Sequence, residues 1–272
     1  MKKKITLLSL VLALGMSGSL PVYAADAAPA AVPSTELIQK ITEDRLTLLK
    51  TFEGPGDLTG YVMQPKQGGS PIILYAQKQG AYAVYGTLIG PDGANLSEQD
   101  QEKYVTSYVA DLIAAQLNTV STFSEGSADA PYQLYVLADP SCSACHYFYQ
   151  NAKKQISDGQ LRIQWILVGF VQPDSLAQAA TIMHDKDPAK AMTENESGFD
   201  SQHEKGGAKA MKDIPKDLQA KLDANMAFMH ATGLSKTPTL MFYGKDGKLV
   251  FIEGAPRDMA AFLKESTPKV TK

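Results

Sequence analysis

The chain has 272 residues, 44% hydrophobic and 20% charged, with 29 acidic and 26 basic side chains and a net charge of −3. That mild acidity excludes the clustered basic surface on which nucleic-acid recognition depends. Its 2 cysteines are too few for a fold held by disulfides, and a bridge closing so short a loop would remove little unfolded-state entropy.

Residues 1–24 read as an export signal: Lys2, Lys3 and Lys4 precede an apolar run from Ile5 to Leu14, and Val22-Tyr23-Ala24 supplies the small residues of a cleavage site. The run falls short of the ~20 apolar residues that a membrane span needs. Cleavage near Ala24 removes three positive charges and predicts a soluble protein in an oxidising compartment, the periplasm, long enough for two domains. Residues 25–32 are rich in alanine and proline and read as a flexible leader.

From Ser34, a candidate N-cap, the positions of Leu37, Ile38, Ile41, Leu46 and Leu49 predict an amphipathic helix. The period then shortens: Tyr61–Met63, Ile72–Ala76 and Ala81–Ile89 read as strands, punctuated by Gln79-Gly80 and Pro91-Asp92-Gly93. So small a sheet is marginal alone, and its apolar runs and free edges predict a homodimer through roughly residues 36–96. Between Ser97 and Phe123 apolar residues from Tyr104 to Val120 recur at spacings of three and four, predicting one long connecting helix. Residues 124–130, small and polar, read as a domain boundary.

Tyr132–Ala138 reads as a strand, 147–156 as a helix and Arg162–Val168 as a second strand. Residues 173–233 are mostly helical, interrupted at 194–207 by a polar stretch that reads as a mobile loop. Thr239–Tyr243 and Leu249–Ile252 form a hairpin about Lys245-Asp246-Gly247, and Asp258 caps a final helix. The order is that of an α/β domain. The expected organisation is a signal over 1–24, an α+β N-terminal domain over 25–96, a linker helix over 97–128 and an α/β domain over 129–272 with a helical insertion at about 173–233.

Both cysteines lie in "DPSCSACHYFY", residues 139–149, which admits three chemistries. Structural zinc wants four ligands in closely spaced pairs, whereas His184, His203 and His230 are scattered and no second C-x-x-C exists, so no metal is expected. Cys142 to His146 is also C-x-x-C-H, the attachment pattern of a c-type haem. The third reading is a redox dithiol. The motif follows a strand where a helix begins, and a helix N-terminus lowers a thiol pKa from its ordinary value of about 8.5. Cys142 is then the nucleophile and Cys145, one turn further in, the resolving thiol.

The stretches "VLADPSCSACHYFYQNAKKQISDGQLRIQWILVGF", "KDPAK" and "TPTLMFYGKDGKLVFIEGAP" resemble the DsbC/DsbG family of periplasmic thiol:disulfide isomerases, nearer its DsbG branch. "GYVMQ" and "GTLIGPDGANLS" resemble the family's N-terminal dimerisation domain, so the likeness covers essentially the chain beyond the signal. It implies a thioredoxin-like catalytic domain and Cys142 and Cys145 as catalytic residues that cycle through a mutual disulfide. It further implies Thr237 and a cis Pro238 facing the dithiol, and Ser143 and Ala144 as substrate contacts. The implied partners are a second copy, client proteins with non-native disulfides or oxidised cysteines, and a membrane reductase of the DsbD type; no cofactor beyond the dithiol is implied. Two departures stand out. Family members usually hold a tyrosine between the cysteines, where this chain has Ser143-Ala144, and thioredoxin's buried acid is replaced by Val136. The expected activity is isomerisation or reduction of client disulfides; a net dithiol oxidase, a haem electron carrier and a non-catalytic chaperone are the alternatives.

Overall fold

The computed structural model describes residues 34–80 and 82–266; the export signal and the leader lie outside them. The first element, α1 (Ser34–Thr42), ends earlier than the apolar pattern predicts. Thr42 Oγ1 turns back to the Ile38 carbonyl, and Glu43 and Asp44 take left-handed backbone angles that stop the helix. Leu46 and Leu49 therefore belong to a strand, β1 (Leu46–Glu53). It pairs antiparallel with β2 (Leu58–Pro65), and β2 in turn pairs with β3 (Ile72–Gln77).

The predicted strand over 81–89 shrinks to β4 (Ala83–Val84), paired with β3. Beyond it the backbone finds other partners: Leu88 N–H donates to Ser97 Oγ, and the Leu88 carbonyl accepts from Leu96 N–H. Those bonds belong to the start of a helix, so no ladder remains for the rest of the run.

Period-two alternation places this sheet between two layers. Tyr61, Met63, Leu74 and Ala76 join Ile38 of α1 on one face, while Val62, Ile73 and Tyr75 point to the other. That second face meets a helical stretch made of α2 (Leu96–Asp100), capped by Asn95, a π-helical segment (Gln101–Thr106) and α3 (Ser107–Gln116), ending in a 3₁₀ turn at Leu117–Thr119. The stretch stops short of Phe123. Phe123–Glu125 is instead β5, the edge of a second sheet, so the polar segment read as a boundary contributes a strand.

The second sheet has the order β5-β7-β6-β8-β9, with β6 (Tyr132–Ala138) and β7 (Leu161–Leu167) parallel and joined by α4 (Ser143–Ser157). β8 (Thr239–Tyr243) and β9 (Leu249–Glu253) form the hairpin, its turn at Gly247 with φ 75°. Between β7 and β8 come α5 (Ser175–His184), α6 (Pro188–Ser197) and α7 (Lys216–Thr232); α8 (Met259–Ser266) closes the described chain, with Ala261 N–H donating to Asp258.

Both faces of this sheet are covered, which is why β6 and β7 read as nearly continuous apolar runs. Leu134, Val136 and Ala138 pack with Phe148 of α4 and Trp165. Leu137, Ile166 and Met241 point the opposite way, into a cluster with Val109, Ile113 and Leu117 of the linker stretch, Phe228 of α7, and Val62 and Tyr75 of the first sheet. Burying each such side chain stabilises the fold by about 1.5–3 kcal/mol. The linker stretch is thus a wall of the core. A chain cut at Asp129 would lose that wall and the edge strand β5 together. The two halves also meet where α7 ends: Gly233 (φ 75°) caps the helix, a Cβ there would lie 2.8 Å from the Gly69 carbonyl, and Ser70 Oγ donates to the Gly233 carbonyl.

Candidate dithiol site

The two cysteines sit where β6 gives way to α4, on a turn tied down by Asp139, a fully buried residue. Its Oδ1 accepts from Ser141 N–H at 2.8 Å and Ser175 Oγ at 2.7 Å; its Oδ2 accepts from the N–H groups of Phe170 and Val171 at 2.8 and 2.9 Å. One side chain thereby clamps the dithiol turn to the segment leaving β7 and to α5.

Cys142 is the N-cap of α4, and its sulfur accepts from Cys145 N–H at 3.2 Å. This is a cysteine doing what serine or aspartate does at a helix start, where free N–H groups favour negative charge. Its pKa is held down to about 6, first by the hydrogen bond from the Cys145 thiol and against the effect of burial, with the Cys145 and Ala144 N–H groups adding to the lowering. Cys145 is 1% exposed, and burial pushes its thiol well above the ordinary value. The pair is divided into one thiol poised to ionise and one held neutral. Both are free thiols here, the reduced form of the expected cycle.

Thr237-Pro238 is a cis peptide, as expected from the sequence, and it enters β8. The Thr237 carbonyl lies 3.3 Å from Cys142 Sγ and accepts its proton while the thiol is neutral. Ser143 and Ala144 are exposed beside the dithiol, and Ser143 Oγ donates to Glu204 at 2.9 Å. All six residues proposed from sequence therefore gather at one place.

Sequence reasoning missed what covers them. Residues 194–207 form a strap pinned at its two ends: α6 runs to Ser197, Asn195, Glu196 and Gly206 are buried, and 200–205 between them are exposed. Asn195 Nδ2 donates to the Pro140 carbonyl, and Gly206 N–H donates to Ser141 Oγ, which itself donates to Gln178. Gly206 is required here, because a Cβ would stand 2.4 Å from the Pro140 carbonyl and 2.2 Å from Asn195 Oδ1. One available signal was Asp187-Pro188, an N-cap with proline at the first helical position; Asp187 does cap α6.

His146 Nδ1 lies 2.8 Å from Glu196 Oε2, and its ring stacks on Phe199 with centroids 4.4 Å apart. With that ring engaged and Cys145 buried, the arrangement does not fit thioether attachment of a haem. Among the described residues no three His, Cys, Asp or Glu side chains form a metal-binding group, and no helix is long and apolar enough to cross a membrane.

The thiol assignments make an expected result. Alkylation of the reduced protein should follow a single thiolate with a midpoint near pH 6, mapped by peptide mass to Cys142, while Cys145 reacts only after unfolding. A midpoint at or above 8.5, the free-thiol value of about that size, would contradict the N-cap geometry.

The profile of the thioredoxin-like domain family matches residues 123–265, a span that begins at β5. The thiol:disulfide interchange protein DsbG of Escherichia coli K12 is 29% identical over 260 residues, 94% of this chain and 95% of that one. DsbG of Pseudomonas aeruginosa PAO1 is 28% identical over 220 residues, covering 81% and 84%. Among solved structures, Helicobacter pylori DsbG aligns over 76% of this chain and 97% of its own, at 18% identity and a TM-score of 0.37.

Proposed function

Because the chain belongs to the thioredoxin-like family, we propose that it is a thiol:disulfide interchange enzyme acting on exported proteins through Cys142 and Cys145. The observation that carries this reading is the N-cap sulfur: a thiol with its pKa near 6, beside a neutral buried thiol and an accepting backbone carbonyl.

The Cys142 thiolate attacks one sulfur of a client disulfide; the Cys142–client bond forms, the client bond breaks, and the second client sulfur leaves as a thiolate. If that thiolate attacks another disulfide of the client and a later client thiolate displaces Cys142, the client is isomerised with no net electron transfer. If Cys145 loses its proton and attacks Cys142 Sγ first, the Cys142–Cys145 disulfide forms and the client is reduced by two electrons. A dithiol donor of the DsbD type must then return two electrons. An extended client meets Thr237, Ser143 and Ala144 around the sulfur.

The site works best in a homodimer joined through roughly residues 36–96. Ile41 (46% exposed), Leu48 (43%) and Tyr85 (73%) are large apolar side chains left uncovered on the first sheet and α1, and β4 offers a short open edge. Light scattering should give twice the chain mass. Tyr85→Glu with Ile41→Glu should yield a monomer that reduces insulin at the parental rate yet recovers scrambled ribonuclease at least about fivefold more slowly, because a client is no longer held between two dithiols. A monomeric parent, or a monomeric variant that isomerises equally well, defeats the proposal of a working dimer. The export signal and a periplasmic site belong to the same reading, and N-terminal sequencing of the secreted protein should start near Ala25.

A further inference from the structure

One titratable pair, a buried acid and a partly exposed histidine, has no part in the exchange steps above. Glu196, 1% exposed, lies in the last turn of α6 with Oε2 against His146 Nδ1 at 2.8 Å and Oε1 accepting from Asn195 Nδ2 at 3.1 Å. His146 directly follows Cys145, and its backbone N–H donates to the Cys142 carbonyl at 3.0 Å. Its side chain keeps 22% of its surface in contact with solvent. Asn195 also donates to the Pro140 carbonyl, so the end of α6 and the dithiol turn are held as one unit. An acid and an imidazole therefore stand beside the dithiol turn, the imidazole one residue along the chain from Cys145 and partly open to water.

We propose that Glu196 and His146 are proton-positioning residues for the dithiol, keeping their proton while Cys142 is charged and accepting that of Cys145 when the resolving thiol attacks. The inference rests on the exchange reading above.

Two negative charges at close range disfavour one another. Burial first, and then the charges of Cys142 and Glu125, push the Glu196 carboxyl up to about 8 against the hydrogen bond from Asn195. Burial also pushes His146 down, with Lys153 adding to the effect. While Cys142 is a thiolate the pair holds one proton and is neutral. Once that sulfur is bonded to a client its charge is gone, Glu196 ionises more readily, and its proton leaves through His146 to solvent. The carboxylate is then available when Cys145 must be deprotonated. The Cys145 proton passes to the pair, its sulfur electrons form the bond to Cys142 Sγ, the Cys142–client bond breaks, and the client thiolate is protonated by solvent. Two electrons leave the dithiol and two reduce the client. The groups facing the pair are Cys142 at the start of α4, Tyr149 and Lys153 of α4, and Glu125 from β5.

The experiment uses the full chain with glutathione disulfide as probe, quenched by acid, and follows the Cys142–glutathione mixed disulfide by mass between about pH 5 and 9. The ratio of its resolution rate to its formation rate should fall about tenfold in Glu196→Gln, an isosteric change that preserves the bond to Asn195; a positioned base of this kind is worth about 10²-fold or more when fully aligned. The resolution profile should also lose the inflection that the parent shows below about pH 8, the value that Glu196 has while Cys142 is charged, and Glu196→Asp should restore part of the ratio. His146→Gln, on the water side, should remove the same inflection and serves if Glu196→Gln does not fold. Proportionate slowing of both steps, or an inflection that persists in both variants, overturns the inference and leaves the exchange reading intact. No mixed disulfide in parent or variant overturns the exchange reading, and the inference with it.

Discussion

Cys142→Ser should abolish insulin reduction, a fall of at least about a thousandfold to the background rate, because a serine hydroxyl at the N-cap neither ionises near neutrality nor forms the mixed disulfide. Cys145→Ser should instead keep the first step and accumulate client proteins on Cys142, visible as adducts on a non-reducing gel. A Cys142→Ser protein that still restores scrambled substrates would mean that the fold acts by holding chains. The thiolate has a thermodynamic counterpart. With the folded pKa near 6 against an ordinary value of about 8.5, its contribution to the stability of the reduced form is complete above about pH 8.5 and lost as pH falls through 6. At pH 7 it amounts to about 1.4 kcal/mol, or about 30 mV for a two-electron couple. The advantage of reduced parent over Cys142→Ser in urea should therefore vanish below pH 6.

Asp139→Ala should destabilise the protein by about 3–5 kcal/mol, as large a change as any core truncation. The carboxylate is fully buried and accepts four hydrogen bonds, three from backbone N–H groups and one from Ser175 Oγ. Alanine leaves all four donors in a space too closed for water to reach them well, and each orphaned donor costs about 1–3 kcal/mol before relaxation. Asp139→Asn keeps the volume but turns an NH₂ toward donors, so an intermediate loss is expected. Urea midpoints of the three proteins decide the matter. A loss below about 1 kcal/mol in Asp139→Ala would mean that the turn is held by something other than this clamp.

Where a pattern was both local and periodic, the sequence was readable. Tyr132–Ala138 emerged with the predicted bounds because its residues are buried on both faces, and the hairpin about Asp246-Gly247 because glycine meets the φ 75° that its turn demands. The dithiol and Thr237-Pro238 were legible because each carries its chemistry in two to four adjacent residues. The failures share a cause in partners distant along the chain. β5 is a strand only because β7 offers an edge, and its polar Glu125 is tolerated because Trp165 Nε1 and Tyr149 Oη donate to it. The strap at 194–207 looks soluble by composition, yet Asn195, Glu196 and Gly206 bond to residues 139–146 and 178, fifty residues back in places. The apolar run to Ile89 reads as one strand, yet β4 is only Ala83–Val84, and Tyr85 and Ile89 beyond it remain exposed.

The packing of α3 bears on mechanical coupling between the halves. Val109 and Ile113 belong to one cluster with Tyr75 of the first sheet and with Leu137 and Met241 of the second. Loosening either sheet would strip cover from the other, so the halves are expected to melt as a single cooperative unit, without an intermediate in which one persists. A helix gripped on both sides also behaves as a rigid lever: torque applied to the first sheet is delivered through Leu137 to the end of β6, five residues before the reactive sulfur.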